Sequence, residues 1–314
     1  MTEWESRHCR EAYGETLLRL GGEMEEIVVL DADLSSSTRT GWFAKKYPHR
    51  FFNFGVAEQN MMGAAAGLAA SGKIAFVSTF AMFATGRVYD QIRQSIVYPG
   101  FNVKIVATHA GITVGGDGAS HQMNEDVGLM RLLPNMTVIV PADYWETAKA
   151  VEAIAHFKGP VYLRMGRAPV PVIFDENMKF KIGRAQTVRD GDDLTIIAMG
   201  QMVSRALDAA EFLENEGIQV RVINMSTIKP LDEAAIVIAA RETGAVVTVE
   251  EHNEIGGLSS AVAEVLAVKA PVPMCRIGIP DVFGQSGGCR ELLSKYGLTT
   301  ENIIECARRV HARK

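Results

Sequence analysis

Two histidines and an acid lie close together in a glycine-rich segment, ATHAGITVGGDGASHQMNED, which covers Ala107 to Asp126. His109, Asp117 and His121 all follow an apolar run that is typical of a buried strand. Loops rich in glycine and titratable groups at the carboxyl edge of a sheet are more often sites than spacers. The three side chains could orient polar atoms of a substrate and relay protons. Their spacing fits no strong zinc pattern, so no metal site is expected.

A carboxylate stands at the start of a second segment, FNFGVAEQNMMGAAAGLAASGK. A helix is predicted to begin at about Glu58, and its Ala, Gly, Met and Leu content predicts burial nearly all round. An acid there has a purely structural explanation, because a helix N-terminus stabilises a carboxylate by about 0.3–1 kcal/mol. The functional alternative is a carboxylate held in an apolar interface, where it exchanges a proton with a cofactor heteroatom.

Two phenylalanines and two arginines are further candidates. Phe80 and Phe83 stand at a predicted strand-to-helix turn, where they either belong to the core or form a wall on which a flat heterocycle stacks. Arg164 and Arg167 follow the last strand of the same region and suit a phosphate or carboxylate on a substrate. Pairing with an acid of the same chain explains the two arginines equally well.

Short β-branched runs alternate with helical stretches, which is typical of a parallel sheet covered by helices. The predicted fold class is therefore α/β with two domains, residues 1–167 and residues 187–314. Residues 168–186, where the alternation lapses, are predicted to form a linker. Predicted strands in the first domain are Ile27–Leu30, Phe51–Phe54, Ile74–Ser78, Val103–Ala107, Thr137–Val140 and Val161–Arg164, with helices at about Arg10–Leu20, Glu58–Ala70, Gly86–Tyr98, Glu125–Leu132 and Tyr144–Ala155.

Composition limits the compartment and the partners. The 314 residues are 47% hydrophobic and 22% charged, with a net charge of −5, which gives no reason to bind nucleic acid or an anionic membrane. The apolar run Met61–Ala70 is shorter than the roughly 20 residues that span a bilayer. Cys9, Cys275, Cys289 and Cys306 form no CxxC pair and are expected to be reduced thiols. The start MTEWESRHCRE has no secretory pattern, so a cytoplasmic protein is expected.

Taken in order, these segments resemble the pyrimidine-binding and C-terminal domains of transketolase, from Arg10 to about Val310. GVAEQNM is similar to the family's Gly-x-x-Glu-x-x-Met segment, which implies that Glu58 is the glutamate that activates thiamine diphosphate. STFAMF resembles the stretch whose two phenylalanines, here Phe80 and Phe83, pack on the aminopyrimidine ring.

The same resemblance implies the substrate-binding residues. ATHAGITVGGDGASHQ is similar to the family's histidine loop, so His109, Asp117 and His121 are expected to bind substrate, with both histidines catalytic. DADLSSST resembles the segment that carries an interface Asp, which contacts the cofactor, and a phosphate-binding Ser; these are Asp33 and Ser37. Arg164 matches a phosphate-binding arginine after the last strand, Arg10 matches a second one more loosely, and Gly86 replaces a tyrosine of the pyrimidine pocket.

A partner chain is also implied. Full-length transketolases begin with a domain whose GDG motif and distant Asn hold Mg²⁺ and the diphosphate, whereas the GDG at Gly116–Gly118 lies inside the histidine loop. An N-terminal partner subunit is therefore expected to hold the diphosphate and Mg²⁺ or Ca²⁺ in an α2β2-type complex. The chain is predicted to be the C-terminal half of a transketolase, which moves a two-carbon ketol unit from a ketose phosphate to an aldose phosphate.

Three other functions remain open. A deoxyxylulose-phosphate synthase usually has an arginine-type loop where this chain has His109. A 2-oxo acid dehydrogenase β subunit usually has His-Ser-Gln and Pro-Gly where this chain has Ser120-His121-Gln122 and Pro134-Asn135. A non-catalytic regulatory subunit is the third alternative, although it would have no need of Glu58 and the paired aromatic and histidine residues.

Overall fold

The computed structural model describes residues 4–314, which form two large sheets flanked by helices and one two-stranded sheet. The strands are β1 Ser6–Arg7, β2 Ile27–Asp31, β3 Phe51–Asn53, β4 Ile74–Phe80, β5 Val103–Thr108, β6 Thr137–Ile139, β7 Val161–Arg164, β8 Val170–Pro171, β9 Gln186–Arg189, β10 Leu194–Ala198, β11 Val220–Asn224, β12 Thr227–Lys229, β13 Val246–Asn253 and β14 Met274–Ile279.

The helices alternate with these strands along the chain. They are α1 Cys9–Glu23, α2 Ser35–Thr38, α3 Gly41–Lys46, α4 Glu58–Ala70, α5 Ala81–Thr85, α6 Tyr89–Gln91, α7 Asp126–Leu132, α8 Tyr144–His156, α9 Met202–Glu214, α10 Glu233–Thr243, α11 Leu258–Lys269, α12 Cys289–Lys295 and α13 Thr300–His311, with 3₁₀ turns at Pro48–Arg50 and Ile112–Asp117 and a π turn at Ile92–Val97. Within residues 4–314, none combines the length and hydrophobicity that a bilayer span requires.

The first sheet has seven strands in the order β12-β6-β7-β5-β4-β2-β3. Neighbouring strands are parallel except for β12 with β6. Alternation along β2 explains the two layers: Ile27 and Val29 join the core with α1 and α8, whereas Val28 and Leu30 join the core with α4. The predicted α/β fold with a parallel sheet is confirmed.

The second sheet has the order β14-β13-β10-β11-β9, with only β9 antiparallel to its neighbour. Strand β12 comes from the second half of the sequence but pairs with β6 of the first sheet, which the sequence pattern did not predict. In residues 168–186, which were predicted to be a linker, β8 pairs with β1, and the N–H groups of Ile173 and Phe174 donate to Asp143.

Helix α4 has the predicted bounds, but the predicted burial nearly all round is wrong. Met61, Met62 and Ala65 face the core, whereas Gly63 and Gly67 are exposed. The predicted helix Gly86–Tyr98 begins later than expected, at Tyr89, where α6 continues directly into the π turn Ile92–Val97. The apolar residues of α4 therefore include a face that this chain by itself leaves exposed.

The cysteine prediction is wrong for one pair. Cys275 on β14 and Cys306 on α13 form a disulfide, with their Cα atoms 6.1 Å apart. Helix α13 packs on β14 and brings two cysteines that are 31 positions apart in sequence within bridging distance. Cys9 and Cys289 are free thiols, as expected.

Candidate active site

The candidate residues lie after the carboxyl ends of neighbouring strands. Phe80 ends β4, His109 follows β5, and Glu58 opens α4 after β3. Strands β4 and β5 are parallel and adjacent, with Phe80 paired in register to Thr108. Open α/β sheets bind ligands at this edge, so the topology brings together residues that are far apart in sequence.

Glu58 is buried and already has a partner. The residue is 3% exposed, and its Oε1 accepts a hydrogen bond of 2.8 Å from Nη1 of Arg87. The Arg87 side chain is 43% exposed and lies over the Phe83 ring, 4.3 Å from the ring centroid. The sequence reasoning did not identify Arg87. Its position next to Gly86, where the family pattern is broken, was the signal that could have found it.

Phe80, Phe83, His109 and His121 form one aromatic cluster. The rings of Phe80 and His109 stack with centroids 3.7 Å apart, and those of Phe80 and Phe83 are 6.1 Å apart at 16°. The His121 ring meets Phe83 edge-on at 5.4 Å. Four of the predicted site residues thus belong to one cluster of stacked and edge-on rings.

The electrostatic surroundings keep His109 neutral. Burial first, and then the charges of Arg10, Arg167 and His121, lower the pKa of His109 to about 3. Its Nδ1 shares a hydrogen bond of 2.8 Å with the Thr108 hydroxyl. A neutral imidazole fixed in this way offers one donor or acceptor nitrogen to a substrate oxygen.

Arg164 is buried and paired within the chain, which disfavours its predicted role as a phosphate ligand. The residue is 4% exposed, Nε donates to Asp126 over 2.8 Å, and Nη2 donates to the backbone oxygen of Glu251 over 2.9 Å. Arg167, three residues further on, has a side chain that is 42% exposed and lies 3.9 Å from Asp117. Arg167 is therefore the arginine of this segment that faces the candidate site.

Arg10 and Ser37 also lie together. Nη1 of Arg10 donates to the Ser37 backbone oxygen over 3.2 Å. Burial, and then the neighbouring Arg39 guanidinium, lower the pKa of Arg10, and Arg167 adds to this effect. A local excess of cations of this kind suits a phosphate group. Asp33 is exposed just beyond the end of β2, and its carboxylate accepts a hydrogen bond from the Asn53 amide.

Comparison with known protein families identifies the fold. Residues 5–172 match the pyrimidine binding domain of transketolase, and residues 183–303 match its C-terminal domain. The chain belongs to the transketolase family. The prediction that it resembles the C-terminal section of a split transketolase is confirmed, because relatives of this kind match nearly its whole length.

Three individual relatives define the resemblance to split transketolases. A putative transketolase C-terminal section of Methanocaldococcus jannaschii is 55% identical over 299 residues, which are 94% of each chain. A 6-deoxy-6-sulfo-D-fructose transketolase subunit of a Clostridium species is 44% identical and covers 99% of this chain and 96% of its own. A solved structure described as a split gene transketolase, inactive β4 tetramer, has a TM-score of 0.91 at 51% identity, with 99% of this chain and 100% of that chain covered.

The transketolase family depends on thiamine diphosphate, and the residues fit one end of that cofactor. A buried carboxylate beside a pair of phenylalanines suits the ring nitrogen and the flat face of the aminopyrimidine. Within residues 4–314, no three His, Cys, Asp or Glu side chains are grouped as a metal site requires. The aromatic cluster, Glu58 and Arg87 are called the pyrimidine site below.

Proposed function

We propose that this chain is the C-terminal subunit of a two-polypeptide transketolase, active only with an N-terminal partner. Its reaction moves a two-carbon ketol unit from a ketose phosphate to an aldose phosphate. The observation that carries the proposal is the burial of Glu58 beside the aromatic cluster, 3% exposed, at the edge of the sheet where four predicted residues meet.

Glu58 is proposed to hydrogen-bond the N1′ atom of the aminopyrimidine and exchange a proton with it. A buried carboxylate needs a partner, and Arg87 fills that role in this structure. Phe80 and Phe83 would pack against the ring and exclude water. When bound, thiamine diphosphate supplies the carbon nucleophile, while the protein supplies position and electrostatics.

The substrate is proposed to lie between the histidines and the cations. His109 and His121 would orient hydroxyl and carbonyl oxygens and relay protons. Arg10, Arg167 and the segment of Ser37 would hold the phosphate. Asp117, which is 3.9 Å from Arg167, would keep that guanidinium in place.

The partner is proposed to cover the exposed apolar face beside Glu58. Val56 is 77% exposed, Phe52 is 38% exposed, and Gly63 and Gly67 of α4 are exposed as well. The relatives described as a C-terminal section or a subunit support a second polypeptide. We propose that this partner holds the diphosphate and Mg²⁺ or Ca²⁺, contacts Asp33, and forms an α2β2-type complex in the cytoplasm.

A sulfonated ketose is a second candidate substrate. One relative that is 44% identical is described as acting on 6-deoxy-6-sulfo-D-fructose. A sulfonate presents oxygen acceptors and a negative charge to Arg10 and Arg167, much as a phosphate does. The pyrimidine site would serve both substrates equally.

The test is to assay the chain with and without a candidate N-terminal subunit. Transfer from xylulose 5-phosphate to ribose 5-phosphate, or from 6-deoxy-6-sulfofructose, is expected only in the mixture with thiamine diphosphate and Mg²⁺. Glu58→Gln should lower kcat by about 10²–10⁴-fold, because general acid–base catalysis contributes that much, while circular dichroism stays unchanged. Activity that needs pyruvate, or a Glu58→Gln complex with near-normal kcat, would refute the proposal.

A further inference from the structure

The histidine loop, residues 109–122, belongs to the first domain but packs against the second. Its first turns are held by backbone bonds from Ala110 to Met165 and from Gly111 to Met123. Beyond Gly111, however, the loop turns toward β13 and the segment that precedes α12. Its position therefore depends on residues that come more than 120 positions later in the sequence.

Glu251 on β13 is the central contact. The residue is 4% exposed, and its Oε1 accepts a hydrogen bond of 2.8 Å from the backbone N–H of Thr113. Gln201 donates both to Oε2 of Glu251 and, over 3.1 Å, to the Thr113 hydroxyl. Burial raises the pKa of Glu251, and the nearby charge of Arg164 opposes that change.

The loop is shaped to fit this contact. Gly111 has a φ of 76°, and a Cβ atom there would lie 2.3 Å from Oε1 of Glu251, so neither the backbone conformation nor the space admits a side chain. At Gly118, with a φ of 77°, a Cβ atom would lie 2.5 Å from Oγ of Ser286. The C-terminal domain thus lies against Gly111 and Gly118, two of the three loop glycines that have a positive φ.

Two more contacts fix the middle and the end of the loop. Sγ of Cys289 lies 3.2 Å from the Thr113 backbone oxygen, and the Gln122 amide donates to the Gln285 backbone oxygen over 2.9 Å. His109 and His121, which bound the loop, contact the aromatic cluster. A shift of the loop away from β13 would therefore move both histidines.

Strand β13 is itself held against the first domain. Arg164 donates to the Glu251 backbone oxygen over 2.9 Å and to Asp126 over 2.8 Å, which explains why this arginine is buried. The N–H of Asn253 donates to the backbone oxygen of Asn124 over 2.7 Å, just after the loop. Glu251, which accepts the hydrogen bond from Thr113, is consequently fixed relative to the first sheet.

We propose that Glu251 is a positioning residue, through which the C-terminal domain sets the conformation of the histidine loop and the placement of His109 and His121. For its effect on catalysis the inference rests on the proposed function. Glu250 is the matched control, since it is the adjacent buried acid but accepts from Leu258 and Ser259 of its own domain, over 2.7 and 2.8 Å.

The first experiment uses the chain alone and needs no activity. Amide hydrogen exchange of peptides from residues 109–122 is compared between Glu251→Ala, Glu250→Ala and the parent protein. Exchange in the loop is expected to be at least about tenfold faster in Glu251→Ala and unchanged in Glu250→Ala. Equal protection of the loop in both variants would overturn the inference. If Glu251→Ala does not fold, Gln201→Ala is compared in the same way, because it removes the side chain that donates to both Glu251 and Thr113.

The second experiment separates this inference from the proposed function. In the mixture with the N-terminal subunit, Glu251→Ala is expected to raise KM for the donor sugar about tenfold while the affinity for thiamine diphosphate stays unchanged. Unchanged KM in an active Glu251→Ala complex contradicts the inference alone. An inactive parent mixture contradicts the proposed function alone, and the hydrogen exchange result then decides the inference.

Discussion

Glu58 and Arg87 form an ion pair in which one member is deeply buried and the other is partly exposed. The Glu58 side chain is 4% exposed and that of Arg87 is 43% exposed. A buried carboxylate without a partner is costly, so a ring nitrogen that binds Glu58 either displaces Arg87 or shares the carboxylate with it. The cation over the Phe83 ring also occupies part of the surface that an aromatic ligand would use.

Arg87→Ala is therefore expected to strengthen binding of thiamine diphosphate to the reconstituted complex. Removing the guanidinium leaves Glu58 without its present partner and clears the face of Phe83, so Kd should fall about tenfold in a fluorescence titration. Arg93→Ala, which changes an exposed arginine on the neighbouring π turn, serves as the control and should leave Kd unchanged. Weaker binding by Arg87→Ala would show that the guanidinium assists the cofactor instead of competing with it.

His109 makes stability depend on pH in a defined direction. Its pKa falls from the ordinary 6.5 to about 3 in the folded chain, chiefly because of burial. Between these values the unfolded chain binds a proton that the folded chain does not, so the free energy of unfolding decreases as pH falls through this window. Urea unfolding at pH 7 and pH 5 should show a smaller loss for His109→Gln than for the parent. His156→Gln, at an exposed helix end, should retain the parental loss. An equal loss of unfolding free energy between pH 7 and pH 5 in all three proteins would contradict the assignment.

Two arginines near the end of β7 differ in role: one stabilises the packing and the other is available to a ligand. Arg164 is the last residue of the strand and is buried against α7 and β13, whereas Arg167 lies in the turn beyond it. The strand places the first of these side chains between the domains. Only after the strand has ended can the chain direct an arginine toward the histidine loop, where Arg167 donates to the Val114 backbone oxygen over 2.6 Å.

Substitutions at these two arginines are expected to change different quantities, the Tm for Arg164 and the KM for Arg167. Arg164→Ala leaves Asp126 buried without its ion-pair partner, and breaking such pairs costs about 3–5 kcal/mol, so Tm should fall by several degrees or more. Arg167→Ala should leave Tm nearly unchanged and raise KM for a phosphorylated donor sugar about tenfold or more. Calorimetry and steady-state kinetics measure the two effects. A normal Tm for Arg164→Ala together with a raised KM would restore Arg164 as the phosphate ligand.

Within residues 4–314, the two halves of the chain share a sheet and a hydrophobic cluster. Strand β12 of the second half extends the first sheet, and one hydrophobic cluster contains both Met61 of α4 and Val262 of α11. The exposed face of α4 and Val56 lie away from this shared core. We expect assembly with a partner to occur on that face, since it adjoins the pyrimidine site.

Val56→Asp is expected to weaken association with the N-terminal subunit about tenfold or more, because a carboxylate would be buried at the contact. Val268→Asp is the matched control, since Val268 is 81% exposed and Val56 is 77% exposed, and Val268 lies on α11 in the other half. Sedimentation velocity measures both associations. Equal association of the two variants would place the interface elsewhere.

Local patterns in the sequence determined the elements and most of the candidate site. Hydrophobic runs and turn residues act over a few positions, which is why the strand Val161–Arg164 and the start of α4 at Glu58 were predicted correctly. Phe80 and His109 were identified for the same reason: each ends or follows a recognisable strand, and the parallel topology then brings such ends together.

Only the tertiary structure decided which side chains are available. Arg164 is buried against Asp126, whereas the side chain of Arg167 is 42% exposed, and no local pattern records that difference. The Cys275–Cys306 disulfide and the contact of Glu251 with Thr113 likewise join segments that are distant in sequence. Burial and pairing are properties of the packed chain, so the sequence determined where the chemistry lies and packing decided which residues can take part in it.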